Sequence, residues 1–556
     1  MHLVVDLIVL LAVVVTVAGA ARRWGLPAPL LLVIVGMAGS FLPRYDGFEL
    51  DPEVVLVGLL PPLLYAAALR TSLLDLRQQV RPIAWLSVGL VLATTLGAGL
   101  VVYWLLPVPL AAALALGAVV APPDAVAATA VARRAGLPRR ALTILEGESL
   151  FNDATALVCL KAAVAAIVGS VTVAEVARDF GVSAIGGVAV GVAVAAVVGK
   201  VRKHVDDIVT DTAIAFIAPF LAYVVAEEVH ASGVLAVVVT GVLLGHKAYQ
   251  LQSAPSRTFE RTNWETIQFL LENAVFLLIG LQVRAILDDV EDSPLGTGRI
   301  TLATLAVFLA VLLIRPIGVF ATAYLRPIQR RRDPEAARVP WQYPAVVSWA
   351  GMRGVVTLAA AFALPEETPH RDVLVLIALI VTVGTLLVQG FSLPTVIRRL
   401  GLAGPDPDED ALQAAEIYQR AASAGRARLA ELDTSTVAEE IVTRLEERSV
   451  ERAHSVWERL GGRDETPSQA YARLRSEMLE AERGEVLRIR ASGSAAHEVL
   501  QDVLNALDVE ETILARAETT TTAEREEDLR PGQRAACEHL AACTRTPTPK
   551  TPEGCE

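Results

Sequence analysis

Long aliphatic runs, repeated along the first 400 positions, constrain this chain more than any other feature. A membrane hydrocarbon core about 30 Å thick needs roughly 20 consecutive apolar residues per helix. Thirteen runs of about this length lie between clusters of proline, glycine and charge, at residues 3–21, 27–43, 53–69, 83–106, 109–132, 148–170, 181–199, 208–227, 232–246, 267–287, 300–326, 342–364 and 372–397. We therefore predict an all-α polytopic membrane protein with about thirteen transmembrane helices. Because the eighth run is weak and the ninth is short, twelve or fourteen transmembrane helices are also possible.

Composition and charge divide the chain into two parts. Apolar residues make up 53% of its 556 residues, aromatic residues only 5%, and the mean hydropathy is +0.48. These values exclude a soluble enzyme, a secreted disulfide scaffold and a disordered chain. The net charge of −12 is uneven, because residues 1–400 carry +1 and residues 401–556 carry −13. We infer a near-neutral transmembrane domain over 1–400, an acidic tail over 401–556, and no nucleic-acid partner.

Basic and acidic residues alternate across the predicted loops. One set of loops holds the basic residues Arg22, Arg23, Arg70, Arg77, Arg81, Arg133, Arg134, Arg139, Arg140, Lys200, Arg202, Lys203, Lys247, Arg257, Arg261, Arg330, Arg331, Arg332, Arg398 and Arg399. The alternate loops are mainly acidic. Since Lys and Arg accumulate in cytoplasmic loops, we expect a multi-pass membrane protein with an outside N-terminus and a cytoplasmic tail.

Several polar and charged residues lie well inside predicted spans. Such residues cost several kcal/mol in lipid and are candidates for function, because they must face the protein interior or a wet cavity. The candidates in this chain are Asp124, Glu148, Ser149, Asn152, Asp153, Glu272, Arg315 and Arg353.

Three of these residues share one helix face. Ser149, Asn152 and Asp153 have the spacing i, i+3, i+4, so a hydroxyl, an amide carbonyl and a carboxylate lie together. These are hard oxygen ligands, which suit a small alkali cation and not zinc or copper. Glu148 can either hold Asn152 or pair with an arginine.

Two predicted helix breaks accompany the cluster. Two prolines precede Asp124, and they should interrupt the fifth helix because they lack an N–H and clash with carbonyls one turn earlier. Freed carbonyls beside a carboxylate can form a cation site at the membrane midplane. Gly351 and Gly354 flank Arg353 and predict a second break in the twelfth span. The two spans run in opposite directions, as an inverted repeat requires.

Purely structural roles are the alternative. Asp124 could be a partner for Arg315 or Arg353. For both arginines and for Glu148 and Glu272, charge-pair scaffolding is favoured over ion contact. Glu272 lies near the start of its predicted span, where a carboxylate also stabilises a helix N-terminus.

Six segments within residues 1–400 together resemble one family, the cation:proton antiporters that include bacterial NhaP-type antiporters and animal sodium–proton exchangers. The segments are LLPPLLYAAAL, APPDAVA, ESLFNDATALV, ENAVFLLIGLQV, LLIRPIGV and GMRGVVTLAAA, in this order. The resemblance implies exchange of Na⁺ or Li⁺ for H⁺ by alternating access, in a homodimer with two broken crossing helices. It implies secondary transport rather than enzymatic activity, no cofactor, and no metal beyond the transported cation.

The resemblance also suggests residue roles. Asp153 matches the essential carboxylate, Asn152 its partner, and Ser149 and Asp124 further contributors. Glu148 matches a glutamate that pairs with a core arginine, which here is Arg315 or Arg353. The Asn–Asp pair resembles the electroneutral branch, which exchanges one ion for one proton and serves pH and sodium homeostasis.

Two departures affect these expectations. Pro123 stands where many members have a threonine hydroxyl that holds the ion, which leaves K⁺/H⁺ antiport open as an alternative. The third helix reads Tyr65-Ala66-Ala67-Ala68 where many members carry an acidic residue. A membrane ion sensor that signals through its tail is a further alternative.

The tail begins with a Gly/Pro linker at 401–405 and continues as charged helical segments over about 408–460 and 468–517. A solvated helical hairpin and a regulator of transport are both compatible with this pattern. Residues 537–556 weakly resemble the start of a UBP-type zinc finger. The ligands that would close a four-ligand zinc site are missing there.

Overall fold

A computed structural model of the chain describes residues 2–24, 28–43, 53–124, 128–129, 132, 136–169, 173–291, 294–324, 340–402, 404, 406–433, 437–457, 466–492 and 496–528. The chain separates into two compact units, residues 1–404 and 405–556. Secondary structure within the described ranges is helical, without strands.

The predicted apolar runs are largely helical in the described part of the first unit. The helices are α1 (His2–Arg23), α2 (Ala28–Ser40), α3 (Val54–Arg70), α4 (Leu73–Gln78), α5 (Val80–Leu105), α6 (Leu110–Val120), α7 (Arg139–Val168), α8 (Val173–Arg202), α9 (Ile208–Glu228), α10 (Gly233–Leu251), α11 (Ala254–Leu281), α12 (Val283–Glu291), α13 (Thr297–Tyr324), α14 (Gln342–Trp349), α15 (Val355–Phe362) and α16 (Arg371–Leu400). Among the described residues, nine helices are long and apolar enough to cross a membrane, and α2, α3 and α6 are shorter apolar helices. The prediction of an all-α polytopic membrane protein is confirmed.

Both predicted helix breaks are present. Helix α6 ends at Val120, and the residues that follow as far as Asp124 are not helical. Helix α14 ends at Trp349, and residues 350–354 are non-helical before α15 begins at Val355. Prolines explain the first break, because they cannot continue the ladder of helical hydrogen bonds.

Two helices that carry candidate residues begin well before their apolar runs. Helix α7 begins at Arg139, directly after Pro138, so the cluster of polar residues lies in its middle. Helix α11 begins at Ala254, where the Ser253 side chain accepts a hydrogen bond from the Ser256 N–H. Glu272 is therefore about five turns from the helix start. Its interpretation as an N-terminal carboxylate is wrong, because the capping serine and a polar first half extend the helix beyond its apolar run.

The first unit has two main hydrophobic clusters. The larger cluster is built mainly from α2, α5, α6, α7, α11, α13, α14, α15 and α16 and includes Leu116 and Ile377. The smaller cluster is built mainly from α3, α8, α9 and α10 and includes Tyr65 and Val237. A cavity of about 1150 Å³ is lined from both clusters. We call it the central cavity.

Close helix packing within the larger cluster uses glycine. A Cβ atom on Gly117 of α6 would lie 2.9 Å from the backbone nitrogen of Gly99 on α5. Small residues at such contacts let membrane helices approach closely, which matters because lipid provides no hydrophobic drive for helix association.

The second unit contains α17 (Pro407–Glu431), α18 (Glu439–Trp457), α19 (Pro467–Ser492) and α20 (His497–Asp528). Arg475 of α19 is paired with Glu482 and with Glu510 of α20, the latter at 2.7 Å. Hydrogen bonds from the Arg475 guanidinium hold the pKa of Glu510 below its usual range. The zinc-finger-like segment 537–556 lies outside the described residues.

A buried charge cluster ties α8, α9, α10 and α11 together. We call it the Arg202 cluster; it consists of Arg202, Asp211, Gln252 and Glu260. The Arg202 guanidinium donates to the Asp211 carboxylate at 2.7 and 3.0 Å and to Glu260 at 2.6 Å. The Gln252 amide nitrogen donates to both carboxylates. All three charged residues are less than 10% exposed.

Replacing Arg202 by methionine should destabilise the protein strongly. The substitution leaves two buried carboxylates without their counter-ion, and breaking a buried pair costs about 3–5 kcal/mol. We expect a clear fall in the thermal unfolding temperature in detergent. The matched control is Arg178→Met, because Arg178 pairs with Asp179 at an exposed position on the same helix. Equal unfolding temperatures for the two variants would show that the Arg202 cluster does not stabilise the unit.

Candidate cation-binding site

The two helix breaks contact each other through their backbones. The Asp124 N–H donates to the carbonyl of Met352 at 2.6 Å. On the same break, the Arg353 N–H donates to the Thr385 hydroxyl at 3.0 Å. Backbone groups freed from a helix at membrane depth have no water to bond, so they must find partners inside the protein. Here a carbonyl of the second break accepts a hydrogen bond from an N–H of the first.

Arg353 completes this arrangement with its side chain. Its guanidinium donates to the carbonyls of Val120 at 3.0 Å and Ala121 at 3.4 Å, and also to that of Gly351. The residue is 1% exposed. Because carbonyls at a helix C-terminus carry partial negative charge, the arginine stabilises the broken end of α6.

Glu148 pairs with Arg315, one of the two arginines that the sequence left open. The two guanidinium nitrogens of Arg315 lie 2.5 and 2.9 Å from the two carboxylate oxygens of Glu148. The pair is at most 2% exposed, and Arg315 also donates to the carbonyl of Val347 at 3.1 Å. A bidentate pair with a further hydrogen bond offsets the cost of burying both charges. It links α7 to α13 and α14.

Arg353 and Glu272, for which the sequence also suggested charge pairing, bond to neutral groups instead. Arg353 is occupied by the carbonyls of the broken helix. The Glu272 carboxylate accepts from the Gln268 amide at 2.5 Å, and the Gln268 carbonyl oxygen accepts from Arg70 at 2.9 Å. Arg70, Gln268 and Glu272 all line the central cavity.

Asn152 and Asp153 lie in the middle of α7, against the first break. The Asn152 amide nitrogen donates to the Pro123 carbonyl at 2.7 Å. Its Oδ1 atom is buried and has no hydrogen-bond partner among the described residues. Asp153 is 6% exposed. An acceptor oxygen held in one orientation, with its lone pairs unused, is what a cation site requires.

The central cavity is lined by three of the candidate residues, Asp124, Ser149 and Asp153. Leu64 of α3 and Gly245 of α10 also line it. Within the described ranges, no group of three His, Cys, Asp or Glu side chains is placed to hold a metal ion. The side-chain oxygens of Asp124, Ser149 and Asp153 are carboxylate and hydroxyl oxygens, which are hard ligands.

Three residues of the Arg202 cluster, Arg202, Gln252 and Glu260, also line the central cavity. The sequence did not predict this cluster. In the sequence, Arg202 is one of several basic loop residues, and Glu260 lies between two predicted spans. The available signal was Asp211, an acidic residue inside the eighth predicted span.

These features define a polytopic ion transporter whose candidate site lies at two crossing helix breaks. The chain belongs to the sodium/hydrogen exchanger family, because the family model described as "Sodium/hydrogen exchanger, transmembrane" matches residues 9–399. Members of this family are secondary transporters that exchange Na⁺ and H⁺. The predicted family and its NhaP-type branch are confirmed.

Relatives cover most of the chain. It is 33% identical over 532 residues to an uncharacterized Na⁺/H⁺ exchanger of Mycobacterium tuberculosis, covering 92% of this chain and 96% of that protein. It is 30% identical to the Na⁺/H⁺ antiporter ApNhaP of Aphanothece halophytica, covering 68% and 70%. The solved sodium–proton antiporter MjNhaP1 from Methanocaldococcus jannaschii matches with a TM-score of 0.59 at 18% identity, covering 72% of this chain and 100% of that one. This last match confirms the antiporter fold.

Replacing Gly354 by alanine should impair transport. A Cβ atom at this position would overlap the Asp124 carboxylate. Forcing atoms into a packed site costs about 1–3 kcal/mol, so we expect exchange in vesicles to fall roughly tenfold to a hundredfold. The control is Gly390→Ala, which also lines the central cavity and where the new Cβ would meet only the Met352 sulfur at 3.4 Å. Wild-type exchange by the Gly354 variant would contradict the arrangement of the two breaks.

Proposed function

We propose that the Asp153 carboxylate carries alternately one proton and one Na⁺ or Li⁺ ion, so that the chain exchanges these cations for H⁺ in a 1:1 ratio. Asn152, Ser149 and Asp124 contribute further ligand oxygens. The observation that carries the proposal is the buried Asn152 Oδ1 atom. Its amide nitrogen is fixed on the Pro123 carbonyl, while Oδ1 is left without a partner among the described residues, one position from Asp153.

The buried charges support an electroneutral cycle. Glu148 and Arg315 neutralise each other in their ion pair. Within the described residues, the Arg353 side chain donates its hydrogen bonds to carbonyls. Its positive charge then offsets the negative charge of Asp124. Among the charges on α7 and at the two breaks, one negative charge, that of Asp153, then remains for the cargo to neutralise. A proton or a monovalent cation does this equally, and both together would leave an unpaired buried charge.

Coupling follows from the cost of moving a bare carboxylate. An unpaired buried ion costs several kcal/mol even after relaxation of the protein. If the larger cluster moves relative to the smaller one to expose the central cavity to alternate sides, only the protonated and the cation-loaded forms of Asp153 make the transition readily. Uncoupled leak is thereby suppressed.

Exchange of K⁺ by the same mechanism is the second candidate. Pro123 provides no side-chain hydroxyl, and a site with fewer fixed ligands discriminates less against the larger ion. A relative from Bacillus subtilis is named a sodium, potassium, lithium and rubidium/H⁺ antiporter; it is 29% identical over 405 residues, and the match covers 60% of its length.

The remaining assignments follow the sequence pattern and the family resemblance. We propose a homodimer in the bacterial plasma membrane, surrounded by lipid, with an outside N-terminus. Residues 1–400 form the exchanger domain, and residues 401–556 form a cytoplasmic tail that adjusts transport. Exchange of Na⁺ for H⁺ serves pH and sodium homeostasis.

Replacing Asp153 by asparagine should abolish exchange. The asparagine amide is neutral and does not titrate. It therefore cannot carry the proton, and it has no negative charge to neutralise the cation. In acridine-orange dequenching with inverted vesicles, we expect wild-type recovery on addition of Na⁺ or Li⁺ and background signal for Asp153→Asn. Recovery with K⁺ as well would favour the second candidate.

The control is Asp288→Asn, at an exposed carboxylate beside Arg284. It should retain wild-type exchange, and equal expression of both variants separates loss of function from loss of insertion. Cation-dependent proton flux retained by Asp153→Asn would rule out the proposed role of this carboxylate.

Exchange should be independent of membrane potential. In proteoliposomes clamped with K⁺ and valinomycin, a 100 mV potential should leave the equilibrium Na⁺ ratio unchanged, because no net charge crosses. An exchanger that moved one net charge would gain about 2.3 kcal/mol per 100 mV, equivalent to a shift of roughly fiftyfold in that ratio. A shift of that size would exclude the 1:1 cycle.

A further inference from the structure

Thr357 in the first turn of α15 carries a buried hydroxyl group that the proposed cycle does not use. The residue is 1% exposed, and its Oγ1 atom has no hydrogen-bond partner among the described residues. Leaving a buried polar group unpaired is unfavourable, so native proteins rarely do so without a functional reason.

Other buried threonines of the first unit make a hydrogen bond that Thr357 does not make. The hydroxyls of Thr94, Thr304 and Thr382 each donate at 2.8 Å to the carbonyl four residues earlier in the same helix. This is the ordinary local bond for threonine in a helix. For Thr357 the corresponding carbonyl belongs to Arg353, in the non-helical break, and the bond is not made. The helix break thus leaves this hydroxyl available.

Helical spacing places Thr357 close to the residue that abuts Asp124. Gly354 and Thr357 are three residues apart and therefore share a face at the start of the helix. Gly354 directly abuts the Asp124 carboxylate. Because Cα–Cβ bonds tilt toward the helix N-terminus, the Thr357 side chain leans back toward Gly354. Thr357 lines the central cavity together with Asp124 and Asp153.

We propose that the Thr357 hydroxyl oxygen is a direct ligand of the transported cation. It provides, from the second break, a hydroxyl ligand that Pro123 cannot provide from the first. A hydroxyl oxygen is a hard, neutral ligand suited to a small alkali cation such as Na⁺ or Li⁺. The inference rests on the proposed cation exchange and adds a determinant of its selectivity.

The test compares Thr357→Val, which keeps the shape and removes the hydroxyl, with Thr357→Ser, which keeps the hydroxyl. Apparent KM and maximal rate are measured for Na⁺, Li⁺ and K⁺ in inverted vesicles. Loss of one interaction with an ion should raise the KM of Thr357→Val for Na⁺ and Li⁺ by about tenfold or more. The KM for K⁺ should change less, so the preference for Na⁺ over K⁺ falls. Thr357→Ser should stay close to wild type.

The matched control is Thr95→Val. Its Oγ1 atom is also buried without a partner among the described residues, but Thr95 does not line the central cavity. It should leave every KM unchanged. Should Thr357→Val not insert, Thr357→Ala provides the same comparison with a smaller side chain.

The outcomes separate this inference from the proposed function. Exchange by wild type, loss in Asp153→Asn and an unchanged Na⁺ KM in both the valine and alanine variants would overturn the role of Thr357 alone. A parallel rise in KM for all three cations would also overturn it as a selectivity ligand. No cation-dependent flux in wild type would overturn both proposals.

Discussion

The structure of the membrane unit depends on satisfying the backbone groups freed by two helix breaks within a low-dielectric interior. Each unpaired group would cost several kcal/mol there. The Asp124 N–H meets the Met352 carbonyl, the Asn152 amide meets the Pro123 carbonyl, and Arg353 takes carbonyls at the end of α6. These bonds join the two breaks and α7 in one arrangement. The candidate ligands are therefore positioned by the bonds that repair the broken helices.

Charge balance is the second constraint, and it connects the fold to transport. The Glu148–Arg315 pair holds α7 against α13 without leaving net charge. Arg353 has its hydrogen bonds satisfied by neutral carbonyls, so its positive charge acts on the surroundings of the site. We propose that this charge compensates Asp124, leaving Asp153 as the group that one monovalent cargo neutralises. Stoichiometry would then follow from the charges fixed around the site.

Sequence reasoning predicted the breaks and the polar face of α7 but placed other features less well. The apolar run of α11 predicts a start near residue 267, but the helix begins at Ala254, so Glu272 lies much farther from the helix start than the sequence indicates. Arg202 looked like one of many loop charges. Polar helix extensions and buried ion pairs escape hydropathy, because hydropathy measures the preference of a segment for lipid and not the partners that its charges find.

The sequence by itself determined the membrane architecture, the two breaks and the alignment of Ser149, Asn152 and Asp153. These depend on local properties: apolar length, missing N–H groups and helical spacing. Only the tertiary structure decided that Glu148 pairs with Arg315, 167 positions away, and that the Thr357 hydroxyl has no local bond. Such partners are chosen by helix packing, and a charge or hydroxyl in a sequence carries no record of which distant group lies within hydrogen-bond distance.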